Sequence, residues 1–371
     1  MLEYLDGDQE IDAVFGKLLA QPRARRELLV RNDRRFCEPG AIDRLLEEAR
    51  MAAFEEPALG EHFARLAVLA AEGLDISEHG RLTAARYRGL ALASCGNARR
   101  LACDLEGAED LLEEAVRLLR DEARSDLDSA LAATLLASLR KDQRRFAEAL
   151  DLLERAIEIY AGVGDDLHHA RALCTLGSLH LDAGAPEQAL SPLMEALALL
   201  DQAEDPRTAL NIRHNLALTH AEVGRFPDAR RVFESCRPLY ALYRDRWTDL
   251  RSRWLEGILA SGEQSGARAE ELLEAVCADY RRDGLDYDSA LVGLDLAFLY
   301  ARQGRYGDLR RLVQEMMPTF FSRHLHREAV TALAFLRRAV EAERVTAETV
   351  RTVATYLRRS RFHPGLRFPH G

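Results

Sequence analysis

The chain has 371 residues, 47% of them hydrophobic, with a mean hydropathy of -0.24 and a formal net charge of -10 at pH 7. That is enough apolar material for a folded, water-soluble protein. The acidic balance argues against a general nucleic-acid binder, whose footprint is basic. Alanine, leucine, glutamate and arginine dominate, proline is limited to 11 residues and β-branched runs are almost absent, which is an all-helical composition.

The N-terminal stretch Met1–Asp6 is acidic and lacks both a basic start and an apolar core, so no secretory signal is expected. No run approaches the ~20 apolar residues that a membrane span needs. Six cysteines stand apart with no CxxC pair, which suits small buried hydrophobes in a reducing compartment. The expected location is the cytoplasm.

Residues 1–80 hold two amphipathic helices, Ile42-x-x-Leu45-Leu46-x-x-Ala49 and Phe63-x-x-Leu66-Ala67-x-x-Ala70, read as an N-terminal cap or a degenerate repeat. From residue 81 a frame emerges. Leu92, Cys95, Gly96, Ala108, Leu112 and Ala115 open it, with one extra residue of spacing before the next period. Thereafter Ala149, Ala189, Ala229 and Ala269 recur every 40 residues. Each is followed at four residues by Leu153, Leu193, Phe233 and Leu273, and at seven by Ala156, Ala196, Cys236 and Val276. Thirteen residues earlier stand Leu136, Leu176 and Leu216, with Glu256 breaking the pattern, and each precedes a small residue. A last period carries Leu296, Ala297, Leu309, Val313 and Met316. Turn residues such as Gly184-Ala185-Pro186, Gly224-Arg225-Phe226-Pro227 and Gly304-Arg305-Tyr306-Gly307 split each period into two helices, and Asp283-Gly284-Leu285-Asp286 lies between repeats. A period of this size predicts stacked repeats over residues 81–320.

Beyond residue 320, Ala329 to Ala342 and Thr346 to Arg361 predict a closing helix pair, with Thr346 as an N-cap, followed by a tail at His363–Phe368. Arg337, Arg338, Arg351, Arg358, Arg359 and Arg361 would suit docking to an acidic surface. Self-association through this end, or a merely solvated helix face, are both left open.

Leu173-x-x-Leu176-Gly177-x-x-His180 with Ala189, Leu193 and Ala196 resembles the tetratricopeptide repeat. So do Leu216-Ala217-x-x-His220 with Gly224-Arg225-Phe226, and Leu296-Ala297-x-x-Tyr300 with Gly304-Arg305-Tyr306. The family's usual period is about 34 residues, so these repeats are lengthened. The resemblance implies an all-α, right-handed superhelical solenoid of antiparallel helix pairs, whose first helices line a concave groove. Lengthened repeats over most of such a chain are similar to the peptide-sensing regulators of bacteria in the Rap and PlcR-like group. Residues 1–80 show no helix-turn-helix, so direct DNA binding is not expected.

No nucleophile elbow, phosphate loop, HExxH or dinucleotide fingerprint occurs, so neither an enzyme nor a cofactor is expected. His168-His169, His214 with His220, and His324-x-His326 are poorly spaced for shared ligation, so no metal is expected. The repeat register places Asn97, Arg100, Ser138, Lys141, Arg171, Thr175, Ser178, His214, Asn215, Arg251, Trp254, Asp295 and Phe298 on the inner faces of the first helices. An asparagine amide can clamp a peptide backbone, and an arginine fork can hold a carboxylate. Ser178, Asn215 and Arg251 resemble part of the carboxylate clamp of chaperone-binding tetratricopeptide domains, but Cys174 and Leu255 stand where its other cations belong. Trp254 is either an exposed binding anchor or core. The expected function is a non-enzymatic scaffold that binds a peptide or protein segment, with a signal-sensing role. The alternatives are a static adaptor, or polar residues that merely bond between repeats.

Overall fold

A computed structural model describes residues 11, 13–102, 104–143, 145–200, 205–243, 245–322, 336 and 345–360. The predicted helix over 329–342, apart from Leu336, and the tail at 363–368 lie outside these residues, as do His324, His326 and Cys103. Every regular element among the described residues is helical, with no strand. No described helix is long and apolar enough to cross a membrane. Two compact units divide the chain, Met1–His168 and His169–Gly371.

The first unit contains α1 (Arg23–Asn32), α2 (Pro39–Glu55), α3 (Pro57–Glu72), α4 (Arg81–Leu101), α5 (Leu105–Arg117), α6 (Asp126–Asp142) and α7 (Phe146–Val163). Helices α2 and α3, α4 and α5, and α6 and α7 pack as pairs, and α3 on α4 and α5 on α6 join the pairs into a stack. Ile42, Leu45, Phe63, Leu66 and Ala70, the residues of the two predicted N-terminal helices, are fully buried in one core with Phe15, Val30 and Phe36.

Helix α8 (Asp166–Asp182) crosses the boundary between the units. The second unit continues with α9 (Pro186–Leu199), α10 (Pro206–Glu222), α11 (Phe226–Leu242), α12 (Arg246–Gly262), α13 (Gly266–Arg282), α14 (Asp286–Arg302), α15 (Tyr306–Ser322) and α16 (Ala347–Ser360). Pairs α10–α11, α12–α13 and α14–α15 alternate with the packing of α9 on α10 and α13 on α14. Thr346 caps α16 as predicted, its Oγ1 accepting from the Thr349 N–H at 3.1 Å.

The period has a direct physical reading. Ala149, Ala189, Ala229 and Ala269 are all 0% exposed, and so are Leu153, Leu193 and Leu273 four residues on. The small residue before them lets the paired helix approach. A Cβ on Gly257 would lie 2.8 Å from Leu273 Cδ2, and one on Gly177 would collide with Leu193. Helix starts recur as well, with Ser125, Asp165, Asp205 and Asp245 each accepting the backbone N–H three residues later.

The extra residue of the first repeat has a definite place. Ala108, Leu112 and Ala115 keep the standard spacing and Ser125 already caps the next helix, so the insertion lies between 115 and 125. There the chain forms a π-helical turn over Leu118–Glu122, the conformation that takes up one more residue per turn.

Turns between paired helices use the left-handed region at one register position: Gly184 (φ 68°), Gly224 (78°), Gln264 (64°) and Gly304 (70°). Glutamine has a Cβ and pays for this conformation where glycine does not. Gln264→Gly is therefore expected to stabilise the protein by about 0.5–1 kcal/mol, since the strain relieved slightly exceeds the entropy of a freer unfolded chain. A higher urea midpoint with unchanged slope would show it; an unchanged or lower midpoint would contradict it.

Candidate functional site

The 40-residue period lines up side chains on the first helices of the second unit. Arg171, Asn211 and Arg251 share one register position, as do Cys174, His214 and Trp254, and also Thr175, Asn215 and Asp295 (with Leu255 intervening). These positions fall on α8, α10, α12 and α14, and several of them bond from one first helix to the next. The Asn215 amide is buried and points its Nδ2 at Cys174 Sγ, 3.8 Å away. Its Oδ1 accepts from Arg251 Nη2 at 3.2 Å, while Arg251 Nη1 reaches Asn211 Oδ1 at 3.4 Å. One turn further along α12, half-buried Trp254 donates its Nε1–H to Asp295 Oδ2 at 2.8 Å. The ring also meets Tyr280 edge-on at 6.3 Å and packs against the apolar core. Trp254 is thus partly packed on the core and partly open. The more exposed tryptophan is Trp247, at 50%.

His214 is 5% exposed, and its Nδ1 lies 2.6 Å from the Tyr240 hydroxyl. Burial first, and the Arg251 charge second, hold the imidazole well below its ordinary range, so it is neutral at pH 7. It acts as a packing and hydrogen-bonding group.

Arg171 sends both Nε and Nη2 to Asp205 Oδ2, at 3.0 and 2.5 Å. Asp205 also caps α10 through the Thr208 N–H. Burial pushes its carboxyl up, but the bonds from Thr208 and Arg171 outweigh that and hold it below the usual range. Arg207 repeats the arrangement on Asp245, at 2.9 and 3.0 Å. Thr175 returns its hydroxyl to the Arg171 carbonyl, and Ser178 and Phe298 are half-buried on α8 and α14. Arg351 on α16 stands over the Phe298 ring at 4.9 Å.

The first-unit residues picked out by the same register behave alike. Asn97 accepts from Arg100 at 3.0 Å, and Arg100 reaches forward to Asp142 at 2.6 Å. Lys141 lies 3.6 Å from Asp142, and Ser138 bonds the Thr134 carbonyl. Many of the polar residues singled out from the sequence therefore bond to a neighbouring repeat. Sequence reasoning missed Asn211, Asp205, Asp142 and Tyr240. Asn211 was recoverable, since it lies midway between Arg171 and Arg251 in the period.

Among the described residues one group, Glu38, Glu78 and His79 in the first unit, brings three metal-type ligand atoms within 4.8 Å of one another. Both glutamates are exposed, and His79 lies 3.2 Å from Glu38 as an ion-pair partner would. Of the histidine pairs noted in the sequence, His168 bonds Asp165 and His214 bonds Tyr240.

Comparison with known proteins agrees with this architecture. Residues 128–202 match the family model of the tetratricopeptide repeat. No curated protein matches the sequence significantly. A Rap protein in complex with Competence and Sporulation Factor is similar in structure, with a TM-score of 0.61 and 13% identity over 88% of this chain and 94% of that one. The Rap conjugation gene regulator of plasmid pLS20, in complex with the Phr* peptide, gives 0.54 and 14% over 88% and 91%. The apo form of RapI gives 0.53 and 13% over 81% and 99%. At these identities the likeness is one of fold. Residues 128–202 are thus similar to the tetratricopeptide repeat, and the fold of the chain is similar to that of the Rap structures.

Proposed function

We propose that the chain is a non-enzymatic regulatory scaffold that binds a peptide or protein segment along the first helices of its second unit. One observation carries this reading: Arg251 and Trp254 are half-buried side chains on one helix, Arg251 oriented by hydrogen bonds to the preceding first helix and Trp254 by one to the next. Pre-oriented aromatic and arginine side chains lower the ordering cost of binding and are the residue types that dominate hot spots. That two of the similar folds are complexes with a factor and a peptide supports the same reading. The five described cysteines form no disulfide among the described residues, which fits a cytoplasmic setting. In this reading residues 1–80 cap the repeats of the first unit, and α16 caps those of the second.

A static adaptor is the second reading. It is favoured by the ties between neighbouring repeats, Arg171 to Asp205 and Arg207 to Asp245, which would resist a change of pitch. Small-angle scattering with native mass spectrometry on gently purified protein separates the two. Peptide sensing predicts a co-purifying peptide whose removal reversibly changes the radius of gyration. An empty protein of constant shape with a stoichiometric protein partner would overturn the sensing role.

A further inference from the structure

Charge is not spread evenly over this acidic chain. Residues 17–35 carry seven lysines and arginines against two carboxylates, Glu27 and Asp33, a net of +5 in a chain of net -10. Helix α1 lies in this segment and packs on α3, with Val30 fully buried. Its cations divide between two faces. Arg26 turns inward: it donates to the Gln21 and Leu19 carbonyls at 3.1 Å each, and its guanidinium stands 5.9 Å from the centre of the Phe63 ring. On the opposite face Arg25, Leu28, Arg31 and Asn32 follow one another at helical spacing, and all four are exposed. Arg23 and Arg35 pair with Glu56 and Asp33, whereas Arg25 and Arg31 meet no carboxylate among the described residues. Lys17 is a third exposed cation, whose charge acts on Asp33 just beyond the end of α1. Two leucines stand among these groups. Leu28 is 60% exposed between Arg25 and Arg31, and Leu19, whose carbonyl holds Arg26, is 47% exposed.

Unpaired cations around exposed leucines fit a surface that is anionic outside and apolar beneath. A bilayer with anionic headgroups is such a surface: the cations meet the headgroups while their stems and the leucines enter the interface. A nucleic acid would use the cations but gain nothing from the leucines, and a duplex would run on past the patch toward the acidic remainder of the chain. From this arrangement we infer that α1 lays the first unit onto an anionic membrane surface, with Leu19 and Leu28 inserted and Lys17, Arg25 and Arg31 on the headgroups. The contact is peripheral and reversible, since a single short helix face lies on the bilayer without spanning it. It is independent of peptide binding along the second unit.

The test is co-sedimentation of the full chain with vesicles of phosphatidylcholine alone or mixed equally with phosphatidylglycerol. At low salt each cation near an anionic surface contributes about fivefold, so wild type is expected to prefer the mixed vesicles by about a hundredfold and to lose most of that preference as salt is raised. R25Q/R31Q should weaken binding to the mixed vesicles by about twenty-fivefold, and L28Q by about three- to tenfold. All these side chains are exposed, so the urea midpoint of each variant should stay as in wild type. R124Q/R155Q removes the same charge from exposed positions elsewhere in the first unit and should bind as wild type does. Equal binding of wild type to both vesicles would overturn the inference. So would an undiminished preference in R25Q/R31Q, or a loss in R124Q/R155Q as large as theirs, which would make net charge the cause. A short DNA duplex serves as the rival polyanion. If it binds as tightly as the mixed vesicles and L28Q changes nothing, the patch is a general polyanion site and the lipid inference fails.

Discussion

Arg140→Ala is expected to destabilise the protein by about 3 kcal/mol, at the low end of the cost of stripping one partner from a buried ion pair. Arg140 is only 3% exposed on α6. Its Nη1 bonds Glu109 Oε1 and Gln143 Oε1 at 2.7 Å each, its Nη2 bonds Glu113, and Glu148 lies 3.4 Å from Nε. One side chain therefore ties together α5, α6 and α7. The acids are more open, with Glu109 28% and Glu113 53% exposed, so they can recover water when the arginine is lost, and this keeps the cost from being larger.

The same bonding recurs four periods later in another residue type. Tyr300 stands 160 residues after Arg140, and its hydroxyl bonds Glu270 and Glu274 at 3.0 and 3.1 Å. Those acids correspond to Glu109 and Glu113 once the inserted residue of the first repeat is allowed for. Arg145 on Glu109 and Glu148 is likewise repeated by Arg305 on Glu270 and Asp308. Since tyrosine fills this register position elsewhere, Arg140→Tyr should cost clearly less than Arg140→Ala. Urea unfolding followed by circular dichroism measures both. A loss below about 1 kcal/mol for alanine would mean that the network is held by Arg145 alone.

How much of this was legible in the sequence depends on what each residue does. The apolar frame was legible because burial repeats with the helix pairs: Ala189 and Leu193 are buried for the same reason as Ala229 and Phe233. Even the π-helical turn at Leu118–Glu122 left a trace, as one residue too many between Ala108 and Ala149. The polar network was not legible. Arg171 and Arg251 are the same residue type at the same register position, yet one meets Asp205 and the other two asparagines. Periodicity places a side chain on a face; it does not say which partner lies across from it. Asp205 caps α10, and its second role toward Arg171 depends on packing between neighbouring helices.

Trp254→Ala is expected to weaken peptide binding by at least about 2 kcal/mol, roughly thirtyfold, whereas Trp247→Ala should change it by no more than about a factor of two. The contrast comes from how each ring is held. Trp247 is half exposed at the start of α12, with Tyr280 as its ring neighbour. Trp254 is fixed by Asp295 and Tyr280 while keeping part of its face open next to Arg251. A fixed aromatic surface gains contact area on binding at little conformational cost. Because the ring also packs on the core of the second unit, alanine will lower stability as well, and the two effects have to be separated. Trp254→Phe keeps most of the ring contact but loses the bond to Asp295, so it should fold normally and bind at an intermediate level. Asp295→Asn keeps an acceptor oxygen for the indole N–H and should bind nearly as wild type does. If Trp254→Phe and Asp295→Asn both fold and bind like wild type while Trp254→Ala loses only stability, Trp254 belongs to the core alone and the binding face has to be sought on another side of these helices.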